Sequence, residues 1–164
     1  MIEIRNTTSE DAAVLFAIQK EAFLPLYERY HDAGNPYLRG IEDIAARLTH
    51  PAFRYFTILS DGETVGGVMY KISGRTPFYD PMPQGMVYLS RIYVKPGWQG
   101  RGIARTAILL CEREFPDAVQ FSVDFPEDLE RNRRCYEAAG YLDTGRRMET
   151  DPGVVLAGYL KQIK

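Results

Sequence analysis

Between Met86 and Val123 the chain changes its hydrophobic period twice, and each change is marked by a turn. Met86 to Val94 is a run rich in apolar and aromatic residues, which predicts a central strand, and Pro96-Gly97 ends it. Ile103, Ala107, Ile108, Cys111 and Phe115 then recur on one helical face, and Val119 to Val123 reads as another strand. A strand, a helix and a second strand in close succession form a crossover unit. Such a unit places both strands parallel in one sheet and lays the helix on one of its faces.

The flanks add antiparallel pieces. Ile2 and Ile4 alternate with Glu3 and Arg5, the pattern of a half-buried first strand. Thr8 with Asp11 resembles a capping box, and Val14, Leu15, Ile18, Ala22 and Phe23 follow at helical spacing. Pro25 to Gly40 reads as irregular and rich in aromatic residues, and Ile41, Ile44, Ala45 and Leu48 mark a short second helix. Phe53 to Leu59 and Val65 to Ile72 predict a hairpin across Asp61-Gly62. After the crossover unit, Leu129 to Ala139 predicts a helix closed by Gly140, and Tyr141 to Met148 and Val154 to Leu160 predict two last strands. The order β-α-α-β-β-β-α-β-α-β-β gives an α/β (α+β) fold with a mixed sheet. With 164 residues and no repeat or linker, one domain over residues 1–164 is expected.

Charge narrows the partners. The chain carries 22 acids and 20 Lys+Arg for a net −2, which disfavours a nucleic acid or an anionic membrane as partner. No apolar leader opens the sequence and no stretch reaches membrane length, so a cytoplasmic location is the default. Cys111 and Cys135 are too few for a disulfide framework and fall on the buried side of predicted helices, so both read as reduced core thiols. No metal site is expected. The balance is uneven, however. The 31 residues from Pro81 to Cys111 hold Arg91, Lys95, Arg101 and Arg105 and no carboxylate.

The turn Val94-Lys95-Pro96-Gly97-Trp98-Gln99-Gly100-Arg101-Gly102-Ile103-Ala104-Arg105 lies inside that segment. Its glycines let the backbone approach a ligand, and the opening turn of the helix offers N–H groups without internal partners together with the positive end of its dipole. A phosphate or diphosphate suits that arrangement. A glycine-rich turn that merely lets helix and strand pack closely is the plain alternative. The segment lacks the Gly-Lys-Ser/Thr of a P-loop. A dinucleotide fingerprint fits weakly, because Arg105 falls at its third glycine position, though Asp124 is then a conceivable ribose acid.

Gln99-Gly100-Arg101-Gly102-Ile103-Ala104 also resembles the Gln/Arg-x-x-Gly-x-Gly/Ala motif of the GNAT acetyltransferase superfamily, with the strand Tyr88 to Val94 and Pro96 ahead of it. Cys135-Tyr136-Glu137-Ala138-Ala139-Gly140-Tyr141 resembles that family's second signature, and the order of elements is similar throughout. The resemblance implies a mixed, mostly antiparallel central sheet flanked by helices, with its central strands splayed around acetyl-CoA. It implies that pantetheine pairs with the strand backbone at Ile92, Tyr93 and Val94. It also implies that the diphosphate meets Gln99, Gly100, Arg101, Gly102, Ile103 and Ala104, with Arg105 alongside. Tyr136 takes the position of the tyrosine that protonates the departing thiolate, while the Val94 amide polarises the thioester. The implied activity is direct acetyl transfer to an amine of a small molecule or peptide; a non-catalytic acyl-CoA-binding or regulatory module is the alternative.

Two departures from the pattern stand out. Leu129 occupies a position where Asn is frequent in the family, while Asn132 stands where Ala is usual, so Arg131, Asn132 or Arg134 become candidate contacts. Relatives also often carry a Glu on the strand before the turn, where this chain has Tyr88, Ser90 and Arg91. The base is then water, or Asp124 just past its strand, Glu21, Glu28 or His31. Loops that wall the acceptor site in this family nominate Tyr27, Tyr30, His31, Tyr37, Phe78 and Tyr79, an aromatic set suited to a small amine. A monomer or a homodimer is expected.

Overall fold

A computed structural model describes residues 1–164. Its strands are β1 (Ile2–Asn6), β2 (Phe53–Ser60), β3 (Glu63–Lys71), β4 (Met86–Val94), β5 (Gln120–Pro126), β6 (Leu142–Asp151) and β7 (Val154–Gln162). They form one seven-stranded sheet in the order β1-β2-β3-β4-β5-β7-β6. Every neighbouring pair is antiparallel except β4 and β5, which are parallel as the crossover unit requires. The helices are α1 (Ala12–Tyr30), α2 (Ile41–Thr49), α3 (Ile103–Glu112) and α4 (Glu130–Ala138). The β2–β3 hairpin turns through Asp61 and Gly62, both at positive φ (48° and 85°), the twist that a two-residue connection needs.

The sheet separates two cores. Alternation along the strands sends Phe56, Ile58, Val68 and Val94 to one face, where they pack with Ile103, Ala107 and Ile108 of α3, Tyr136 of α4 and Ala139 just after it. Tyr55, Met69 and Tyr93 go to the other face, against Ala12, Leu15 and Ile18 of α1 and Ile44 of α2. The second core contains a polar knot. The Tyr55 and Tyr93 hydroxyls lie 2.6 Å apart, and the buried Arg91 donates to Gln19 (2.9 Å) and to Asp43 (3.1 Å).

Several elements run further than the sequence predicts, among them β6, which reaches Asp151; α1 and β5 do so in ways that shape the gap. α1 continues through Pro25 to Tyr30, where irregular chain is expected. A proline inside a helix removes one backbone donor and costs about 3 kcal/mol. Tertiary contacts on one helical face offset it. Phe23 packs edge-on against the Tyr93 ring at 5.9 Å, Tyr27 stacks on Tyr37 at 5.5 Å, and the Tyr30 hydroxyl donates to Asp128 at 2.7 Å. His31, at φ 49°, then ends the helix. β5 also outruns its apolar stretch, reaching Pro126, because all of its residues pair with β7; Asp124 therefore lies within the strand, opposite Gly158.

The pairing of β4 decides where the site forms. Met69 faces Arg91 but Tyr70 faces Leu89, so Ser90 is an extra residue on β4, a bulge that bends and twists the strand. On its other side β4 pairs with β5 only through Met86–Gln120, Val87–Phe121 and Tyr88–Ser122. Beyond those rungs the two strands part, which is the splay implied by the resemblance.

Asp43→Ala should destabilise the fold by about 3 kcal/mol, because it leaves the Arg91 guanidinium buried without its counter-charge. Urea unfolding measures this, with an unchanged m value. A loss below about 1 kcal/mol would mean that Arg91 finds another partner.

Candidate active site

The turn after β4 is built as an anion cradle. Gly100 and Gly102 hold φ of 80° and 76°, a region most side chains avoid, and Gly102 caps α3. A Cβ at either position would meet nothing within 4 Å, so their open side faces free space. The first backbone bond of α3 runs from the Thr106 N–H to the Gly102 carbonyl, and the N–H groups from Gly100 to Arg105 have no acceptor in the chain. Arg91 does not add to this field, since Asp43 pairs with it in the core, and Lys95 lies 3.9 Å from Glu63 on the surface. Arg101 lies over the Trp98 ring at 4.8 Å and donates to the Gly97 carbonyl, while Arg105 is exposed; neither meets a carboxylate. Arg131 of α4 joins them. Its guanidinium donates to Gln99 Oε1 (2.9 Å), and Gln99 Nε2 donates to the Val94 carbonyl (2.8 Å), which straps α4 to the end of β4. Arg133 and Arg134 instead pair with Glu130 on the solvated face of α4.

The open edge of β4 leads from this cradle into the splay. The Lys95 N–H donates to the Val65 carbonyl at 2.7 Å, so residues in phase with Lys95 bond to β3. Ile92 and Val94 are out of phase and direct their backbone groups toward the gap. The Val94 carbonyl is taken by Gln99, leaving its N–H free.

A cavity of about 540 Å³ fills the gap. Leu89 to Ile92 form one wall and Val123 to Pro126 the other; α1 covers it with Phe23, Leu26 and Tyr30, and α4 contributes Asn132 and Tyr136. Tyr136 is buried, its ring 5.1 Å from Phe125, and its hydroxyl has no protein partner. Burial, with Cys135 and Asp124 nearby, pushes the Tyr136 phenol well above its ordinary range, so it stays protonated. Asp124 accepts from the Tyr88 hydroxyl, which sits 2.9 Å from both carboxylate oxygens. Burial raises the Asp124 carboxyl to about 6 against the opposing effect of that hydrogen bond. Both cysteines are free thiols, and burial holds both above their ordinary range, so neither is a ready nucleophile.

Residues 15–141 match the acetyltransferase (GNAT) family. The chain belongs to the GNAT family. It is 23% identical over 142 residues to the uncharacterized protein YrkN of Bacillus subtilis (strain 168), covering 79% of this chain and 72% of that protein. Among solved structures, the aminoglycoside acetyltransferase AAC(6')-Ib with ribostamycin and coenzyme A superimposes with a TM-score of 0.76 at 14% identity, over 98% of this chain and 93% of that one. The PaiA N-acetyltransferase of Thermoplasma acidophilum, in complex with coenzyme A, gives 0.74 at 16% identity over 99% of both chains. A spermidine N-acetyltransferase SpeG chimera from Vibrio cholerae and hSSAT gives 0.72 at 13% identity, over 98% of this chain and 95% of that one.

The GNAT signature residues Ile92, Val94, Gln99 to Arg105 and Tyr136 gather around one gap and its mouth. Tyr93 faces the gap with neither backbone nor ring: it is in phase with Lys95, so its backbone groups turn to β3, and its ring is buried against Tyr55 in the opposite core. Of the aromatic residues expected to wall the acceptor site, Tyr30 lines the cavity. Tyr27, His31 and Tyr37 pack on one another instead. Phe78 and Tyr79 lie under Arg146, while their neighbour Pro77 reaches the cavity. Leu129, where Asn is frequent in the family, is buried in the cavity wall beside Asn132. Sequence reasoning missed Asp32 and Asp151, which line the cavity from the loop after α1 and the end of β6. The Ala33 N–H approaching Asp151 at 3.4 Å brings these segments together, a contact between positions too distant in sequence to leave a periodic signal.

Gly102→Val should strain the αL position by about 1–2 kcal/mol and place a branched side chain in the cradle. Calorimetry should show coenzyme A binding weakened about tenfold or more, equivalent to about 1.4 kcal/mol. Unchanged affinity would place the diphosphate elsewhere.

Proposed function

We propose that the chain is a single-domain, acetyl-CoA-dependent N-acetyltransferase that passes the acetyl group directly to the amine of a small cationic molecule. The observation that carries this reading is one gap with an anion cradle at its mouth and an unpartnered buried phenol, Tyr136, on its wall. The cradle fits a diphosphate: free amides from Gly100 to Arg105, room above the glycines, and Arg101, Arg105 and Arg131 without carboxylate partners. The open backbone of Ile92 and Val94 suits the amides of a pantetheine arm, and the Val94 N–H is placed to hydrogen-bond a carbonyl oxygen as negative charge develops on it. Bound acetyl-CoA supplies the thioester carbonyl and a thiolate leaving group. Burial keeps the Tyr136 phenol protonated, so its proton is in place when a thiolate forms beside it, and the same loss of solvent raises the thiolate's own affinity for that proton.

The cavity also supports a cationic acceptor. Asp32, Asp124 and Asp151 line it, and its one basic side chain, Arg91, is already neutralised by Asp43. Its volume suits a small molecule or the end of a flexible chain, and the related folds with aminoglycoside or spermidine in their names act on compounds of that chemistry.

A thiol-release assay across a panel of amines tests the reading. Turnover is expected with small di- and polyamines, and Tyr136→Phe should lower kcat about tenfold or more with little change in coenzyme A affinity. Thermal stabilisation by coenzyme A without turnover of any amine would instead identify an acyl-CoA-binding module.

A further inference from the structure

We infer that Asp124 is the general base that accepts the amine proton, and that Tyr88 is its positioning residue. The inference rests on the acetyl transfer proposed above. β4 offers no carboxylate, and the one charged side chain it presents to the cavity, Arg91, is committed to Asp43 and Gln19. Glu21, Glu28 and His31 are exposed and line no part of the cavity. Asp124 sits one residue beyond Val123 and one before Phe125 on β5. Phe125 packs on the Tyr136 ring, so the alternation of the strand sends the Asp124 carboxylate to the opposite face, the one covered by α1. Acid and base are thereby divided between the two faces of the splay. A thioester lying between β4 and β5 would have Tyr136 on its sulfur side and Asp124 on the side from which an amine enters.

The contact with Tyr88 is specific to this geometry. Tyr88 is the last residue of β4 that pairs with β5, opposite Ser122, and its hydroxyl reaches one strand across and two residues along to Asp124. A phenol has a single proton to give, so one carboxylate oxygen keeps free lone pairs for an amine N–H. No cation pairs with Asp124. The other titratable groups around the cavity are Tyr136 on α4, Tyr30 on α1, Asp32 in the following loop, Asp151 at the end of β6, and the neutralised Arg91. In these surroundings burial dominates, and the carboxyl titrates close to neutrality, where a base is both available and effective.

The protons balance. As the amine nitrogen bonds to the carbonyl carbon and the carbon–sulfur bond breaks, Asp124 takes one proton from nitrogen and Tyr136 gives one to sulfur. The acid and base return to their starting states by exchange with solvent, and a neutral amine and the thioester give amide and free thiol with no net proton; an acceptor that arrives as an ammonium first sheds one proton to solvent, and that is the one proton released overall.

The pH dependence of kcat/KM decides. Activity requires ionised Asp124, so kcat/KM should show an acid-side limb with a midpoint of about 6, separate from the further rise at higher pH as the acceptor amine loses its own proton. Asp124→Asn should cut kcat/KM about 100-fold or more and abolish that limb, while coenzyme A still raises its melting temperature as in the wild type. Tyr88→Phe removes the hydrogen bond that favours the ionised carboxylate, so its limb should move to higher pH with the KM for acetyl-CoA unchanged. Carbon-13 NMR of the Asp124 carboxyl in the free protein should report a midpoint near 6 that rises in Tyr88→Phe. Asp124→Asn with the wild-type rate and limb, or a limb unmoved in Tyr88→Phe, overturns this inference and leaves acetyl transfer standing. A wild-type protein that acetylates no amine overturns both.

Discussion

The site exists because strand pairing between β4 and β5 stops after three rungs. Two adjacent strands in a sheet ordinarily satisfy each other's backbone groups along their shared length, and an edge left open in the middle of a sheet carries a standing cost. The Ser90 bulge bends β4 away on one side, while β5 remains fully paired with β7 on the other, so the strands diverge and cannot close. The helices hold the opening. α1 crosses it and is tied to the chain ahead of α4 by Arg29 and Tyr30 on Asp128, and α4 is strapped to the end of β4 through Arg131 and Gln99. The backbone of Ile92 and Val94 is left for an extended ligand to pair with.

Electrostatics divide the same gap. At the mouth, free amides and unpaired arginines favour negative charge. Inside, carboxylates from β5, the loop after α1 and the end of β6 favour positive charge. Strand alternation keeps the two regions apart at the level of single residues, since Val123 and Phe125 face the α4 core while Asp124 between them faces α1. A ligand that is anionic at one end and meets a cation at the other fits both fields without either having to change.

Much of the fold was legible because local pattern and tertiary structure agree. The crossover unit, the Asp61-Gly62 hairpin and the glycine turn each follow from period or turn chemistry, and Tyr136 follows from its place in a motif. What the sequence concealed was tertiary. Pro25 signalled an end to α1, yet contacts with Tyr93, Tyr37 and Asp128 carry the helix on and bring Tyr30 over the gap. The acid-free segment promised four positive charges near the turn, but Asp43 takes up Arg91, Glu63 lies near Lys95, and Arg131 arrives from another helix. Asp124 was visible as a residue but not as a strand position, because its register is fixed by β7 and its hydroxyl partner lies 36 residues earlier.

The claim on which all of this depends is that the splay between β4 and β5 takes the cofactor. Titrating nitrogen-15-labelled protein with coenzyme A tests it most directly. The largest shifts are predicted at the amides of Ile92, Val94 and Gly100 to Arg105, the groups that lack partners in the chain. Shifts confined to the groove between β1 and α3, around Ile4, Leu110 and Arg113, with the β4 edge and the glycine turn unperturbed, would contradict it.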